Sequence, residues 1–307
     1  MEIKYSIVIT TKNRLAELKI TLAKISYLFS RDDLECILYD DGSTDGTYEF
    51  VKTTYPKIQL LRNETSKGLI HNRNVLLNTC KGAFAISLDD DAHFITQNPL
   101  EEIENYFSNH SNCAVIALRV FWGRGELSQT DSEEVSERVK SFVGCAHVWR
   151  MNHWRLIPNY PDWFEFYGEE DFASYQLFLN DLEVHYLPEV LVNHRVEVKN
   201  RKQQNDYTSR LRKSLRAGWY LYFMFYPWAV IPRKMLYSIG MQFKLKVFKG
   251  DFRAFAALIL ALFDLIIHLP KTMRSSNRFS KEQMNQFQRL QEPKIYWNPK
   301  KILHEKL

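Results

Sequence analysis

Several things are scarce in this sequence. Its four cysteines, Cys36, Cys80, Cys113 and Cys145, lie far apart and form no C-x-x-C pair. That argues against a disulfide framework or a cysteine-based zinc site, and for reduced thiols in a cytosolic compartment. No internal repeat and no low-complexity tract interrupts the chain. Met1-Glu2-Ile3-Lys4 runs straight into an apolar strand pattern, so no leader peptide is expected. No apolar run reaches the length of a membrane span. The two longest, residues 217–231 and 254–269, extend roughly 22–24 Å as helix against a hydrocarbon core of roughly 30 Å.

What is present is a globular mixture, 45% hydrophobic and 25% charged over 307 residues. That suits one large domain with an appendage, or two modest domains. The net charge of +5 hides a polarised chain. Residues 1–198 carry 19 Lys and Arg against 30 Asp and Glu, whereas residues 199–307 carry 22 against 6. A tail this basic fits a polyanion, either nucleic acid or an anionic membrane surface.

The first two hundred residues alternate short apolar strands with helical spacing. Strands are predicted at residues 5–10, 34–39, 58–61 and 83–88. Between them, Leu15, Leu18, Leu22 and Ile25 mark one helix. Tyr48 and Val51 mark a second, with Asp45 or Ser43 as its cap, and residues 68–80 a third. This cadence predicts a parallel sheet with helices on both faces. Beyond it a helix is predicted at 100–107, strands at 114–119 and 145–150, a polar mobile loop at 123–137, a helix at 169–180 and a strand at 183–187 closed by Pro188. The domain boundary is expected at residue 200, with the α/β unit, 1–200, before it and a basic, aromatic-rich helical region, 201–307, after it. Pro227 interrupts the first apolar run of that region, and Asp264 and His268 sit in the second, so helices lying in the membrane plane are expected rather than spans. Basic residues near Trp219, Tyr220, Tyr222 and Trp228 suit a headgroup boundary. The competing reading is a helical bundle buried against the first unit.

The chemistry-bearing residues follow the strands. Thr10-Thr11-Lys12-Asn13-Arg14 follows the first, Asp40-Asp41 the second, Lys67 and Arg73-Asn74 the third, and Asp89-Asp90-Asp91 the fourth. Parallel strands bring these ends to one edge, where open α/β sheets place ligands. Three adjacent carboxylates repel unless a cation or water screens them, and a divalent cation on a diphosphate would use them. Asp41 can accept from a pyrimidine N–H, and Lys67 or Arg73 can counter phosphate charge. Taken singly, Asp41 is equally a turn former, Arg73 a solvated helix face, and the triplet an acidic loop. Trp149, Trp154, Trp163, Phe164 and Phe166 could form an aromatic platform for a ligand or fill the core.

The ordered motifs resemble the GT-A-fold glycosyltransferases of family two. They comprise residues 6–14, Tyr39-Asp40-Asp41-Gly42-Ser43-Thr44-Asp45-Gly46-Thr47, Lys67-Gly68 with Arg73-Asn74, Lys81-Gly82, Leu88-Asp89-Asp90-Asp91, Tyr167-Gly168-Glu169-Glu170-Asp171, and Pro188-Glu189 with His194. Together they cover about two-thirds of the chain. The resemblance implies an α/β fold with a Rossmann-like mixed sheet, a nucleotide-diphosphate sugar donor, Mg2+ or Mn2+, and inversion at the anomeric carbon. It places Thr10, Thr11, Asn13, Arg14, Asp41, Lys67, Arg73, Asp89 and Asp90 around the donor. Asp91 is the leading metal ligand, with Asp89 and His194 beside it and Asp90 an alternative. The general base falls on Glu170, with Asp171 second and Glu169 third.

The tail is similar to that of bacterial members: Arg212-Lys213-Ser214, then Tyr226-Pro227-Trp228, then Leu269-Pro270 leading to Arg278-Phe279-Ser280. This implies a hexosyl- or rhamnosyltransferase peripheral on the inner face of the plasma membrane, acting on a glycan or lipid-linked acceptor for surface polysaccharide and binding no nucleic acid. Two rivals remain. A nucleotidyltransferase would carry a glycine-rich loop after the first strand, and Thr10–Arg14 has no glycine. A polyanion-binding protein would use the basic tail alone, against the acidity of the first two hundred residues.

Overall fold

The computed structural model describes residues 2–125, 127, 130–196 and 205–294. Four strands, β1 (Tyr5–Thr11), β2 (Leu34–Asp40), β3 (Gln59–Arg62) and β4 (Phe84–Asp89), run parallel in the order β3-β2-β1-β4. The crossovers are α1 (Leu15–Ile25), α2 (Thr47–Thr54) and α3 (Leu69–Thr79). The alternation in β1 shows how both faces are covered. Val8 belongs to one apolar cluster, while Tyr5, Ile7 and Ile9 belong to the other.

After β4 the parallel order ends. The chain adds β5 (Ala92–Phe94), α4 (Pro99–Asn109), β6 (Cys113–Trp122), β7 (Glu137–Val139), β8 (Ala146–Arg150), α5 (Met151–Trp154), α6 (Glu169–Leu179) and β9 (Glu183–His194). Among the described residues the result is a mixed nine-stranded sheet, ordered β3-β2-β1-β4-β8-β6-β9-β5 with β7 on β9. β8 lies antiparallel to both β4 and β6. The parallel sheet predicted from the first elements is thus one half of a mixed one. All four cysteines are buried free thiols.

Three departures from the predicted elements bear on the site. Strands β5 and β7, three residues each, carry no periodicity long enough to read. β9 does not stop at Leu187. A register shift sets Leu118 opposite Leu187 and then Arg119 opposite Leu191, so a bulge absorbs Pro188 and the strand runs on to His194. Lastly, β7 begins at Glu137, the final residue of the loop expected at 123–137. Glu126, Ser128 and Gln129 of that loop, and the boundary expected at residue 200, lie outside the described residues.

The C-terminal helices are α7 (Tyr207–Phe225), α8 (Ile231–Leu245), α9 (Phe252–Arg274) and α10 (Lys281–Arg289). Pro227 lacks an N–H to donate, and α7 ends two residues before it. The Asp251 carboxylate accepts from the Ala254 N–H at 2.8 Å and caps α9. Ser280 and Gln283 form a capping box at α10. On α9, Ala254, Ala257, Leu258, Ala261, Asp264 and Leu265 share the buried face, which packs on α7. The small alanines let the two helices approach closely. Within that apolar contact Asp264 is buried and accepts from Arg212 at 2.5 and 2.6 Å and from Arg216 at 3.4 Å.

Trp219 and Tyr220 are therefore not headgroup residues. Both are buried, Trp219 donating to Ser238 Oγ at 3.0 Å and the Tyr220 ring lying 5.0 Å from that of Trp163. They sit on the inner face of α7, which joins the same apolar cluster as one side of the sheet. Trp228 is exposed. The expectation that no run reaches spanning length fails at α9, because the helix extends past residues 254–269 at both ends: among the described residues it is the one helix long and apolar enough to cross a membrane, its apolar window having a mean hydropathy of 2.0 and being one-third buried.

Removing one partner of a buried ion pair costs about 3–5 kcal/mol, because the remaining charge is stranded. Asp264→Ala is expected at the lower end, about 3 kcal/mol, since Arg212 reaches solvent. Urea unfolding measures it. An unchanged midpoint would show that apolar packing alone holds α9 to α7.

Candidate active site

Strand register assembles the site. Thr10 lies opposite Tyr39 on one side and Asp89 on the other, and Ala92 lies opposite His194. The carboxyl ends of β1, β2 and β4 and the end of β9 thereby meet at one cleft of 510 Å³. Thr10, Thr11, Arg14, Asp41, Asp89, Asp90, Asp91 and His194 line it.

The acidic triplet divides its work by direction. One oxygen of Asp89, one of Asp91 and a ring nitrogen of His194 lie within 4.8 Å of one another. His194 Nε2 is 3.0 Å from Asp91 Oδ1 and 4.0 Å from Asp89 Oδ2. Two carboxylates and an imidazole that gives up its proton on binding make a mixed oxygen–nitrogen donor set, and all three line the cleft, so these residues fit a divalent cation. Asp90 turns the other way. It accepts from Thr11 Oγ1 at 2.8 Å and pairs with Arg14 Nε at 2.8 Å. Burial pushes its carboxyl up to about 7 despite Arg14, with Asp91 adding repulsion. Arg14 also reaches Asp91. Burial raises the Asp91 carboxyl as well, but the hydrogen bond and charge of His194, with the charges of Arg14 and Arg195, together leave it below the ordinary aspartate value.

Other residues singled out from the sequence stand back from the cleft. Asp41 lines it, yet both carboxylate oxygens are engaged by Asn63 at 2.7 Å, Ser66 at 2.6 Å, the Lys67 N–H at 2.8 Å and the Gly68 N–H at 3.1 Å. These four donors fill its acceptor capacity and order the turn into α3. The Lys67 side chain is exposed and does not line the cleft. Asn13, in the left-handed region at φ 52°, ties the loop after β1 to the loop after β2: its N–H donates to Ser43 Oγ at 2.9 Å and its Oδ1 accepts from the Thr44 N–H at 2.7 Å.

Arg73 is buried and faces inward rather than toward a ligand. It donates to Asp89 at 2.8 Å, to Glu169 at 2.7 Å and to the Gly144 carbonyl at 2.7 Å. It thus joins the metal-type cluster to the first turn of α6. In that turn Glu169 is buried, and its second oxygen has no hydrogen-bond partner among the described residues. Glu170 packs against Gly144 so closely that a Cβ there would lie 2.1 Å from its Oε1. Enclosure first, and the neighbouring charge of Glu169 second, push Glu170 well above the ordinary glutamate value against the pull of Arg73. Asp171 faces a different cavity.

The sequence reading missed Arg210 and Lys213, which reach the cleft from α7, and Glu165, which lines it from the segment before α6 beside Phe166, one of the aromatic residues already named. Spacing of i, i+3 puts Arg210 and Lys213 on one helix face, the only signal available in the sequence. Of the five aromatic residues named as a ligand platform, Trp149, Trp154 and Phe164 are core. Trp149 and Trp154 donate to Tyr160 and Asn78, each at 3.1 Å.

This architecture has solved counterparts. The mannosyltransferase PcManGT from Pyrobaculum calidifontis, solved with GDP-Man and Mn2+, matches with a TM-score of 0.54 and 15% identity over 94% of this chain and 84% of that one. At that identity the likeness establishes the fold, the GT-A fold of glycosyltransferases. The profile of Glycosyl transferase family 2 matches residues 6–185, more than half of the chain, and the chain belongs to that family. Among curated relatives, the poly(ribitol-phosphate) beta-N-acetylglucosaminyltransferase TarS of Staphylococcus aureus is 29% identical over 143 residues, 44% of this chain and 24% of TarS. WfaP of Escherichia coli, a UDP-Glc:alpha-D-GlcNAc-diphosphoundecaprenol beta-1,3-glucosyltransferase, is 33% identical over 86 residues, 26% of this chain and 34% of WfaP. The chain thus spans about a third or less of the length of these relatives.

The raised Glu170 carboxyl has a signed consequence. Between the ordinary glutamate value and its own, the folded state keeps a proton that the unfolded state has lost, so stability falls as pH rises through that window. Glu170→Gln mimics the protonated form. Its melting temperature should equal the wild type below about pH 4 and exceed it at about pH 8. Equal values at both would mean that the carboxyl is solvated in the folded protein.

Proposed function

We propose that this protein is a metal-dependent inverting glycosyltransferase that moves a sugar from a nucleotide-diphosphate donor to a glycan or lipid-linked acceptor of a bacterial surface polysaccharide. The observation that carries this reading is the convergence of Asp89, Asp91 and His194 in one cleft, with Arg14, Arg210 and Lys213 on its walls. Carboxylates to seat a cation and basic side chains to meet phosphate oxygens are what a bound nucleotide diphosphate requires. A divalent cation held by Asp89, Asp91 and His194 would neutralise charge on the leaving diphosphate.

The remaining chemistry is assigned to the chain's own groups. Glu170, as carboxylate, takes the proton of the acceptor hydroxyl while that oxygen bonds to the anomeric carbon from the face opposite the diphosphate. The bond from the anomeric carbon to the diphosphate oxygen breaks, its electron pair leaves with the diphosphate, and configuration inverts. Asp171 is the second choice, and Glu169 the third because Arg73 engages it. Thr10, Thr11 and Arg14, which line the cleft, are assigned to the donor. Asn13, Asp41, Lys67 and Arg73 then serve the donor chiefly by holding loops and charges around it.

The setting proposed for this reaction is the cytoplasmic face of the membrane. Phe248 and Phe252, at the turn between α8 and α9, are 80% and 79% exposed. Leu236, Tyr237 and Leu245 on α8 and Phe263, Ile266 and Ile267 on α9 are exposed too. Lys244, Lys249 and Lys271 are on the same two helices and the turn between them. Apolar side chains beside lysines match the boundary of an anionic bilayer. The mass of exposed apolar surface argues against RNA as the polyanion.

Two measurements test the reading. Asp91→Ala is expected to abolish metal-dependent turnover of nucleotide sugars while the far-UV spectrum stays unchanged. Turnover that persists in the wild type after chelation of divalent metal would remove the metal from the mechanism. In sedimentation with vesicles of phosphatidylglycerol and phosphatidylcholine, Phe248→Glu with Phe252→Glu should weaken binding by about tenfold or more. Tighter binding to RNA than to vesicles across a salt series would instead assign the tail to nucleic acid.

A further inference from the structure

A second cavity, of 590 Å³, opens where α6, α8 and α10 meet the segment after β7. One wall is aromatic. Tyr175 and Phe287 stack edge to face with ring centroids 5.1 Å apart, and the Tyr226 hydroxyl is 3.4 Å from that of Tyr175. The rim carries both signs of charge. Lys140 and Lys234 line it along with Asp171. Lys140 already pairs with Glu292, and Asp171 forms no ion pair among the described residues.

That composition selects a ligand class. A phosphate would face the Asp171 and Glu292 carboxylates in the same cavity, and an alkyl chain would not tolerate the charges. A neutral pyranose uses everything present. Each hydroxyl both donates and accepts, so ammonium groups can donate to it and a carboxylate can accept from it, while the C–H face of the ring packs on aromatic side chains. A cavity of this size is in the range of small-ligand sites.

Location supplies the second argument. Glu165 and Phe166 line the first cleft, and Asp171 lines the second cavity. Glu170 lies between them, in the first turn of α6. The two cavities therefore flank one short segment that carries the three acidic residues.

We propose that the second cavity is a saccharide-binding subsite that holds a sugar unit of the acceptor. The assignment to an acceptor rests on the transferase reading above; the assignment to a saccharide does not. Saturation-transfer NMR on the full chain tests it, with methyl β-D-glucopyranoside, methyl α-D-mannopyranoside and methyl N-acetyl-β-D-glucosaminide as probes. Saturation of at least one glycoside is expected. It should fall about fivefold or more in the double variant Lys140→Ala and Lys234→Ala, and persist in Asp91→Ala. No saturation of any glycoside, or undiminished saturation in the double variant, overturns the subsite. UDP and GDP are titrated with Mg2+ in parallel by thermal shift. If neither stabilises the protein while the glycoside signal stands, the transferase reading fails and the cavity remains a carbohydrate site. If a nucleotide binds and the glycosides do not, the subsite alone fails.

Discussion

Three consecutive carboxylates at the end of a buried strand repel one another, and positive charge from elsewhere in the chain offsets that repulsion. Here it comes from three separate elements. Arg14, from the loop after β1, engages Asp90 and Asp91; Arg73, on α3, engages Asp89; His194, at the end of β9, engages Asp91. Each partner holds its own element in place by doing so. The crossover order of the sheet, the bulge in β9 and the direction in which α3 presents Arg73 all serve this compensation. The site is thus assembled by charge as well as by apolar packing, and the same charges leave Asp89, Asp91 and His194 gathered on the open side.

Arg73 extends that arrangement to the acidic turn of α6. Its guanidinium bridges Asp89 and Glu169 while also donating to the Gly144 carbonyl, so the metal-type cluster and the base candidates share one buried cation. Gly144 matters because a side chain there would collide with Glu170. A second ionic tie, Asp264 with Arg212 and Arg216, fastens α9 to α7. Because α7 also carries Arg210 and Lys213 into the cleft, the apolar face of α8 and α9 is mechanically continuous with the walls of the site.

Long, regular features were legible in the sequence. The apolar alternation of residues 5–10 and 83–88 needed no tertiary information, and the helical spacing of Leu15, Leu18, Leu22 and Ile25 needed none either. The acidic triplet was visible for the same reason, as a charge run abutting an apolar strand. What escaped was short or irregular. Three-residue strands leave no periodic trace, and Pro188 read as a stop because the bulge that tolerates it exists only when β6 lies alongside. Trp219 and Tyr220 read as interfacial from their basic neighbours, since the sequence does not say which face of α7 packs inward.

By itself the sequence determined the alternation of strands and helices, the edge at which the motifs gather and the polarity of the two halves, because these follow from local periodicity and composition. Tertiary structure alone decided direction. It turned Asp90 toward Thr11 and Arg14, Arg73 away from the cleft and toward Glu169, and Asp171 into a separate cavity. It also closed the acceptor sites of Asp41 with donors from the turn into α3. The physical reason is that a charged side chain takes the partner that best offsets its loss of water, and which partner lies within reach is a property of the packed fold.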